Sequence, residues 1–151
     1  MNNSTENASV IELHFVLNIV DEWPTVAVEG ILCSKIAGWY QIKSPPMFVK
    51  GLSVGDQVAV DFDPEGKVIS WKISDRSDRT TIWILRIGPQ DNISAVLHEL
   101  QAISCETVQL PTLGCYSVDV PAEVPIAAVD AVLAKLDERN AAVVFPSYRH
   151  G

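Results

Sequence analysis

The sequence predicts an α+β fold in two parts. Residues 10–76 hold five short stretches of alternating polar and apolar side chains separated by tight turns. This pattern is typical of a small β-barrel or a strongly bent antiparallel sheet. Residues 77–151 instead mix strand patterns with two apolar stripes at helical spacing. The polar start, residues 1–9, is predicted to be disordered.

Composition narrows the class of protein. A hydrophobic share of 48% and a charged share of 20% over 151 residues are ordinary for a globular chain. The net charge of −8 argues against a nucleic-acid partner, and it fits either a cationic protein partner or plain solubility. There is no basic-then-apolar leader and no apolar run near ~18 residues. We therefore expect a cytoplasmic protein with no membrane partner.

In the first part, strands are predicted from alternating polar and apolar residues, and their ends from the residues that favour turns. Leu13 and Phe15 alternate with polar neighbours, as in a half-buried strand. Pro24 interrupts the strand pattern, because proline has no backbone N–H to donate to a neighbouring strand. The Gly55-Asp56 turn leads directly into a strand, since glycine supplies positive φ at a corner. In order, the predicted strands cover residues 10–20, 25–35, 39–43, 58–62 and 68–73.

The second part is organised around residues 80–87, where both faces of the alternation are mostly apolar. Such a strand is buried on two sides. A helix is predicted over residues 92–104 with Asp91 or Asn92 as its cap, and a second helix begins at Pro125 and stops at a left-handed Asn140. The other predicted strands cover residues 106–110, 115–120 and 141–145, with Pro146 closing the last.

This order is strand, helix, strand, strand, helix, strand, which predicts a ferredoxin-like βαββαβ half. Right-handed crossovers would place both helices on one face of the sheet. Residues 80–87 would then lie between the third and the last strand of that half. The strand over residues 106–110 would form an exposed edge, open to another copy or to a partner strand.

Several weak motifs fall in a familiar order. They are Glu22-Trp23-Pro24, Glu29, Gly38-Trp39-Tyr40, Pro45-Pro46-Met47-Phe48, Gly51-Leu52-Ser53-Val54-Gly55-Asp56, the segment from Ser77 to Thr81, Cys105-Glu106 and Val118-Asp119-Val120-Pro121. Over roughly residues 11–144 the chain resembles a bacterial family known as domain of unknown function family 4265. That family typically has Ser-Gly and, a few residues on, an arginine in the segment entering the central strand, where this chain has Ser77-Asp78 and Trp83. The family has no established activity, so the resemblance carries an expectation about the fold and none about function.

Two groups of residues are candidates for catalysis or metal binding. His14 and Glu12 share a strand face and could form a general base, although alternation alone places both on the solvated face. Cys33, Cys105 and Cys115, with His98 and His150, could bind zinc, but their spacing favours buried free thiols. We therefore expect no catalytic residues, no cofactor and no metal.

The connecting loop is a candidate for anion binding. Arg76 and Arg79 could grip a phosphate or carboxylate, while Asp75 and Asp78 would compete for them. A solvated loop whose charges pair with one another is the simpler interpretation.

The expected function is binding without catalysis. Trp23 is predicted to be an exposed contact residue, and Asp61, Asp63, Glu65, Asp75 and Asp78 are predicted to form an acidic rim for a partner. We expect an immunity protein that neutralises a cognate bacterial toxin, possibly a cationic nuclease. The alternative is a small-molecule sensor or an unrecognised enzyme with a pocket between the two halves.

Overall fold

A computed structural model describes residues 9–151 of the chain, so nearly all of the stretch predicted to be disordered, residues 1–9, lies outside the described part. The described part is mostly β-structure with two helices, and the predicted α+β class is confirmed. Its contacts divide it into two compact units, one ending at Ser77 and one beginning at Asp78. The elements are β1 Val10–Val16, β2 Val28–Ile36, β3 Trp39–Ile42, β4 Gln57–Phe62, β5 Val68–Asp75, β6 Thr80–Arg86, α1 Ile93–Ala102, β7 Glu106–Leu110, β8 Cys115–Val120, α2 Ile126–Leu133 and β9 Ala141–Ser147.

The first unit is a five-stranded sheet in the order β1-β2-β3-β4-β5, with antiparallel neighbours. β1 also pairs with β5, in parallel, at Phe15 and Val68. Alternation along the strands turns one set of apolar side chains inward, because successive residues point to opposite faces. The core of this unit comprises Leu13, Phe15, Ile31, Cys33, Ile42, Val58 and Val68 from the strands, together with Val49 and Leu52 from the segment between β3 and β4.

A buried carboxylate holds the loop before β4. Asp56 is fully buried, and its two carboxylate oxygens accept the backbone N–H groups of Ser53, at 2.9 Å, and Ser77, at 2.8 Å. The turn recognised from Gly55, whose φ is 91°, therefore works together with its aspartate. The two hydrogen bonds of the Asp56 carboxylate connect the loop before β4 to the chain just after β5.

The second unit is an antiparallel sheet in the order β7-β8-β6-β9. β6 lies between β8 and β9, and the run from Thr80 to Ile84 is buried throughout. Ile82 and Ile84 pack with both helices in one core, so α1 and α2 cover the same sheet face. No helix in the described residues is long and apolar enough to cross a membrane.

Several predicted boundaries were wrong for local reasons. β1 ends at Val16 rather than at residue 20, and the reverse turn closed by Val20 and Trp23 follows four residues later. β9 continues through Pro146 to Ser147, with a register shift against β6 that accommodates the proline on an edge strand. Asn140 does not adopt positive φ; α2 ends at Leu133, and the Asn140 carbonyl accepts the N–H of Ile87 instead.

Of the two residues predicted to cap α1, Asp91 and Asn92, the structure shows Asp91 in that role. Asn92 makes no side-chain cap to α1; its side chain donates to the Lys135 carbonyl and accepts the N–H of Asp137. Asp91 takes over at the start of α1, since its carboxylate accepts the Ile93 N–H at 3.0 Å. The side chain of Asn92 thus fixes the chain after α2.

Candidate functional site

An exposed reverse turn follows β1. Val20 and Trp23 exchange backbone hydrogen bonds of 2.9 and 3.0 Å, and the two corner residues, Asp21 and Glu22, have φ values of 55° and 66°. Two positive φ values are those of a mirror-image turn, which asparagine and glycine favour and which costs about 1–2 kcal/mol for a residue such as glutamate. Val20 is 59% exposed and Trp23 is 44% exposed. We call residues 20–23 the acidic-aromatic turn.

Trp23, the aromatic residue of this turn, packs against Phe48. The Trp23 ring meets Phe48 edge-on, with centroids 5.8 Å apart and planes at 72°. The backbone N–H groups of Met47, Phe48 and Val49 all donate to the carboxylate of Glu29, with Phe48 at 2.8 Å and Val49 at 3.1 Å. Burial raises the pKa of Glu29, while these three hydrogen bonds act in the opposite direction. Glu29 thus fixes the segment against which Trp23 rests.

The acidic residues predicted to face a partner occupy three separate places. Asp61, Asp63 and Glu65 lie on or beside the β4–β5 turn, and Asp75 pairs with Gln57 at the other end of those strands. Asp78 is exposed at the start of the second unit.

Part of the acidic charge at the β4–β5 turn has internal partners. One Asp63 oxygen accepts the N–H groups of Glu65, at 2.9 Å, and Lys67, at 2.8 Å, so this carboxylate shapes the turn. Glu65 also forms an exposed ion pair with Lys67 at 3.1 Å. Asp61 accepts a hydrogen bond from the Ser70 hydroxyl at 2.8 Å.

Arg79 has a partner outside its own loop, which the interpretation of a loop paired with its own charges did not include. Its guanidinium donates to Asp119 on β8, with Nε 3.0 Å from Oδ1 and 3.2 Å from Oδ2, and a further contact from the terminal nitrogen. Asp119 is fully buried. Burial raises the pKa of Asp119, and the hydrogen bonds and charge of Arg79 oppose that rise. Sequence spacing gave no sign of this pair, because forty residues separate its members.

The chain beyond β9 is fastened to the start of β6. The hydroxyl oxygen of Thr80 accepts the Arg149 N–H at 2.8 Å and lies 2.6 Å from Nδ1 of His150. Nε2 of His150 is 2.9 Å from the Pro121 carbonyl, which can only accept, so Nε2 carries a hydrogen. The His150 ring, a candidate zinc ligand in the sequence, therefore contacts Thr80 and the Pro121 carbonyl in the structure.

The other candidates for chemistry lie apart. His14 and Glu12 share the outer face of β1, with Nε2 and Oε1 3.2 Å apart and both side chains about half exposed. All three cysteines are buried, and burial raises the pKa of Cys33 to about 12 and that of Cys105 to about 11, so their thiolates are disfavoured. Within residues 9–151, no group of three or more His, Cys, Asp or Glu side chains is placed to hold a metal ion.

The geometry defines an α+β protein of two small sheets, in which the part-buried carboxylate of Glu29 and the fully buried carboxylates of Asp56 and Asp119 accept hydrogen bonds. The chain belongs to the family described as Domain of unknown function (DUF4265), whose model matches residues 29–143. It is similar to a hypothetical protein from Neisseria gonorrhoeae of known crystal structure, with a TM-score of 0.65 and 15% identity over 95% of this chain and 97% of that one. At that identity the likeness shows the fold alone. No curated protein matches the chain significantly.

Proposed function

We propose that this is a non-catalytic protein that binds and neutralises a cationic protein partner, as an immunity protein does with a cognate bacterial toxin. The single observation that carries the proposal is the acidic-aromatic turn. It displays the carboxylates of Asp21 and Glu22 beside the exposed side chains of Val20 and Trp23. Tryptophan is enriched among residues that dominate protein interfaces, and carboxylates at a rim steer a cationic partner.

The turn is held in place before any partner arrives. Reciprocal backbone bonds close it, Phe48 supports Trp23, and Glu29 fixes Phe48. Binding by a preorganised element loses less conformational entropy than ordering a free loop would. The unfavourable φ values at Asp21 and Glu22 also fit a turn that is retained for what it displays, because strained backbone concentrates at functional sites.

The charge of the whole chain adds to this argument. A net charge of −8 creates a field that accelerates encounter with a cationic protein and that salt screens. Asp61 and Asp75 are further exposed carboxylates of the first unit, and Asp78 is an exposed carboxylate of the second. We place the activity in the cytoplasm, where an immunity protein would meet its toxin.

The test is a binding measurement against the purified product of the neighbouring reading frame, because immunity proteins are encoded beside their toxins. Asp21→Asn combined with Glu22→Gln should slow association several-fold at low salt and leave dissociation nearly unchanged. Asparagine tolerates the left-handed conformation of Asp21, so the turn should survive. The matched control is Asp130→Asn with Glu138→Gln, an equal charge change at exposed positions of the second unit.

Trp23→Ala should weaken the complex by about thirty-fold, mainly through faster dissociation, which corresponds to a contact worth ~2 kcal/mol. No binding to the neighbouring product at any salt concentration would remove the immunity hypothesis. Binding that Trp23→Ala and the charge variants leave unchanged would keep the partner and discard the turn as its contact.

We also infer a finer architecture for each unit. For the second unit, the order β9-β6-β8-β7, the antiparallel pairing and the two helical crossovers support a ferredoxin-like arrangement. For the first unit, the parallel pairing of β1 with β5 supports a small barrel rather than an open bent sheet.

A further inference from the structure

The two edges of the second sheet are protected unequally. At β9 the register is broken near Pro146, which lacks a backbone donor, and the following chain folds back onto Thr80. Such bulges and prolines discourage another strand from pairing with an edge. At the opposite edge, β7 pairs in unbroken register with β8, and within residues 9–151 it pairs with no other strand. Its five residues, from Glu106 to Leu110, contain neither lysine nor proline.

We propose that β7 pairs antiparallel with β7 of a second copy of this chain, about a two-fold axis at Val108. In a symmetric pairing only this register matches all five residues. It places Glu106 opposite Leu110, Thr107 opposite Gln109, and Val108 opposite its own copy. The single charge of each strand then faces an apolar side chain, so no like charges meet directly across the pair.

The axis keeps equivalent sheet faces on the same side. Two antiparallel strands related by a two-fold axis perpendicular to a sheet preserve its faces. The four-stranded sheets of both copies would therefore join into one continuous sheet, with α1 and α2 of each copy on a common face. Residues that project on the opposite face, Val108 and Leu110, would gain cross-strand neighbours.

The size and charge of the contact set its strength. Five residues per copy bury much less than the ~1,200–2,000 Å² of a stable interface, so the dimer should be weak, with a dissociation constant near ~100 µM. Each copy also carries a net charge of −8, which opposes association until salt screens it. Dimerisation should therefore strengthen with added salt, which is the opposite of the trend expected for binding a cationic partner.

The experiment is analytical ultracentrifugation of the full chain from about 10 to about 500 µM, at low and at high salt. We expect a reversible rise from monomer to dimer mass, shifted to lower concentration by salt. Monomer mass at about 500 µM in high salt would overturn the proposal, and would leave β7 open to a strand of a different protein.

Charge substitutions at Leu110 identify the edge, because this residue is 36% exposed and should face Glu106 of the other copy. Leu110→Glu creates two like-charge pairs in the dimer and should weaken it about tenfold, whereas Leu110→Lys creates two opposite-charge pairs and should preserve or strengthen it. The control is Val144→Glu on β9, which is 39% exposed and changes the net charge equally. An equal effect of Leu110→Glu and Val144→Glu would overturn the assignment to β7, and circular dichroism checks that each variant folds.

Discussion

Removing Arg79 should expose the cost of a buried charge. Asp119 is fully buried and its pKa is raised by burial, so Arg79→Met leaves a carboxylate without its cation and should destabilise the fold by about 3–5 kcal/mol at pH 7. Asp119→Asn should cost less, about 1.5–3 kcal/mol, which is the worth of charge-assisted hydrogen bonds. The asymmetry arises because the Arg79 side chain is 30% exposed and still reaches water when Asp119 is neutral.

The pH dependence gives the sign of the effect. Because its pKa is raised in the folded chain, Asp119 binds a proton more tightly there than when unfolded. Protonation of Asp119 therefore contributes fully to the free energy of unfolding below the ordinary aspartate pKa. This contribution is lost as the pH rises through the pKa of Asp119 in the folded chain. Without Arg79 that loss should be larger, so Arg79→Met should cost clearly less near pH 4 than near pH 7.

The assay is urea unfolding of four proteins: the parent, Arg79→Met, Asp119→Asn and the double variant, each at several pH values. The double variant should lose less than the sum of the single losses, because Asp119→Asn relieves the unpaired charge. A loss below about 1 kcal/mol for Arg79→Met, or one that does not change with pH, would refute the argument from burial.

Two further changes test the frame of each unit. Trp83→Ala removes a side chain that is 6% exposed in the central strand and should cost about 3–5 kcal/mol in chemical denaturation; a shift below about 1 kcal/mol would mean that β6 is not central to the fold. Glu29→Gln replaces one acceptor oxygen by an amide donor and should cost about 1–3 kcal/mol, since Met47, Phe48 and Val49 all donate there. The parent's advantage over this variant should shrink as pH rises, because burial raises the pKa of Glu29 and only the parent titrates; an advantage that grows instead would contradict that direction.

Period and turn chemistry were sufficient for most of the elements. Both strands of the β7–β8 hairpin were predicted with their observed ends, because Pro111 and Gly114 mark the connection between them. The central position of β6 followed from apolar residues on both of its faces. These features are local, so a single sequence contains them.

Contacts between residues that lie far apart in the sequence could not be predicted from these local patterns. Arg79 donates to Asp119 on β8, forty residues away, whereas proximity in sequence indicated the two aspartates that lie within four residues of it. The break at residues 21–24 was predicted from the sequence, but the form of the turn there was not. Asp21 and Glu22 are not residues that normally indicate a mirror-image turn. Trp23 was recognised as exposed only through the proline that follows it.

The motifs that suggested the family explain its frame better than its function. Glu29, Asp56 and Asp119 each direct their carboxylates inward, to backbone N–H groups or to Arg79, and all three lie within the matched residues 29–143. The acidic-aromatic turn precedes that range. One frame can support different functions, because function depends on exposed sites more than on the buried hydrogen bonds of the fold. The proposed partner contact, Trp23 and its acidic neighbours, therefore lies outside the matched residues, whereas the carboxylates of Glu29, Asp56 and Asp119 make their hydrogen bonds within them.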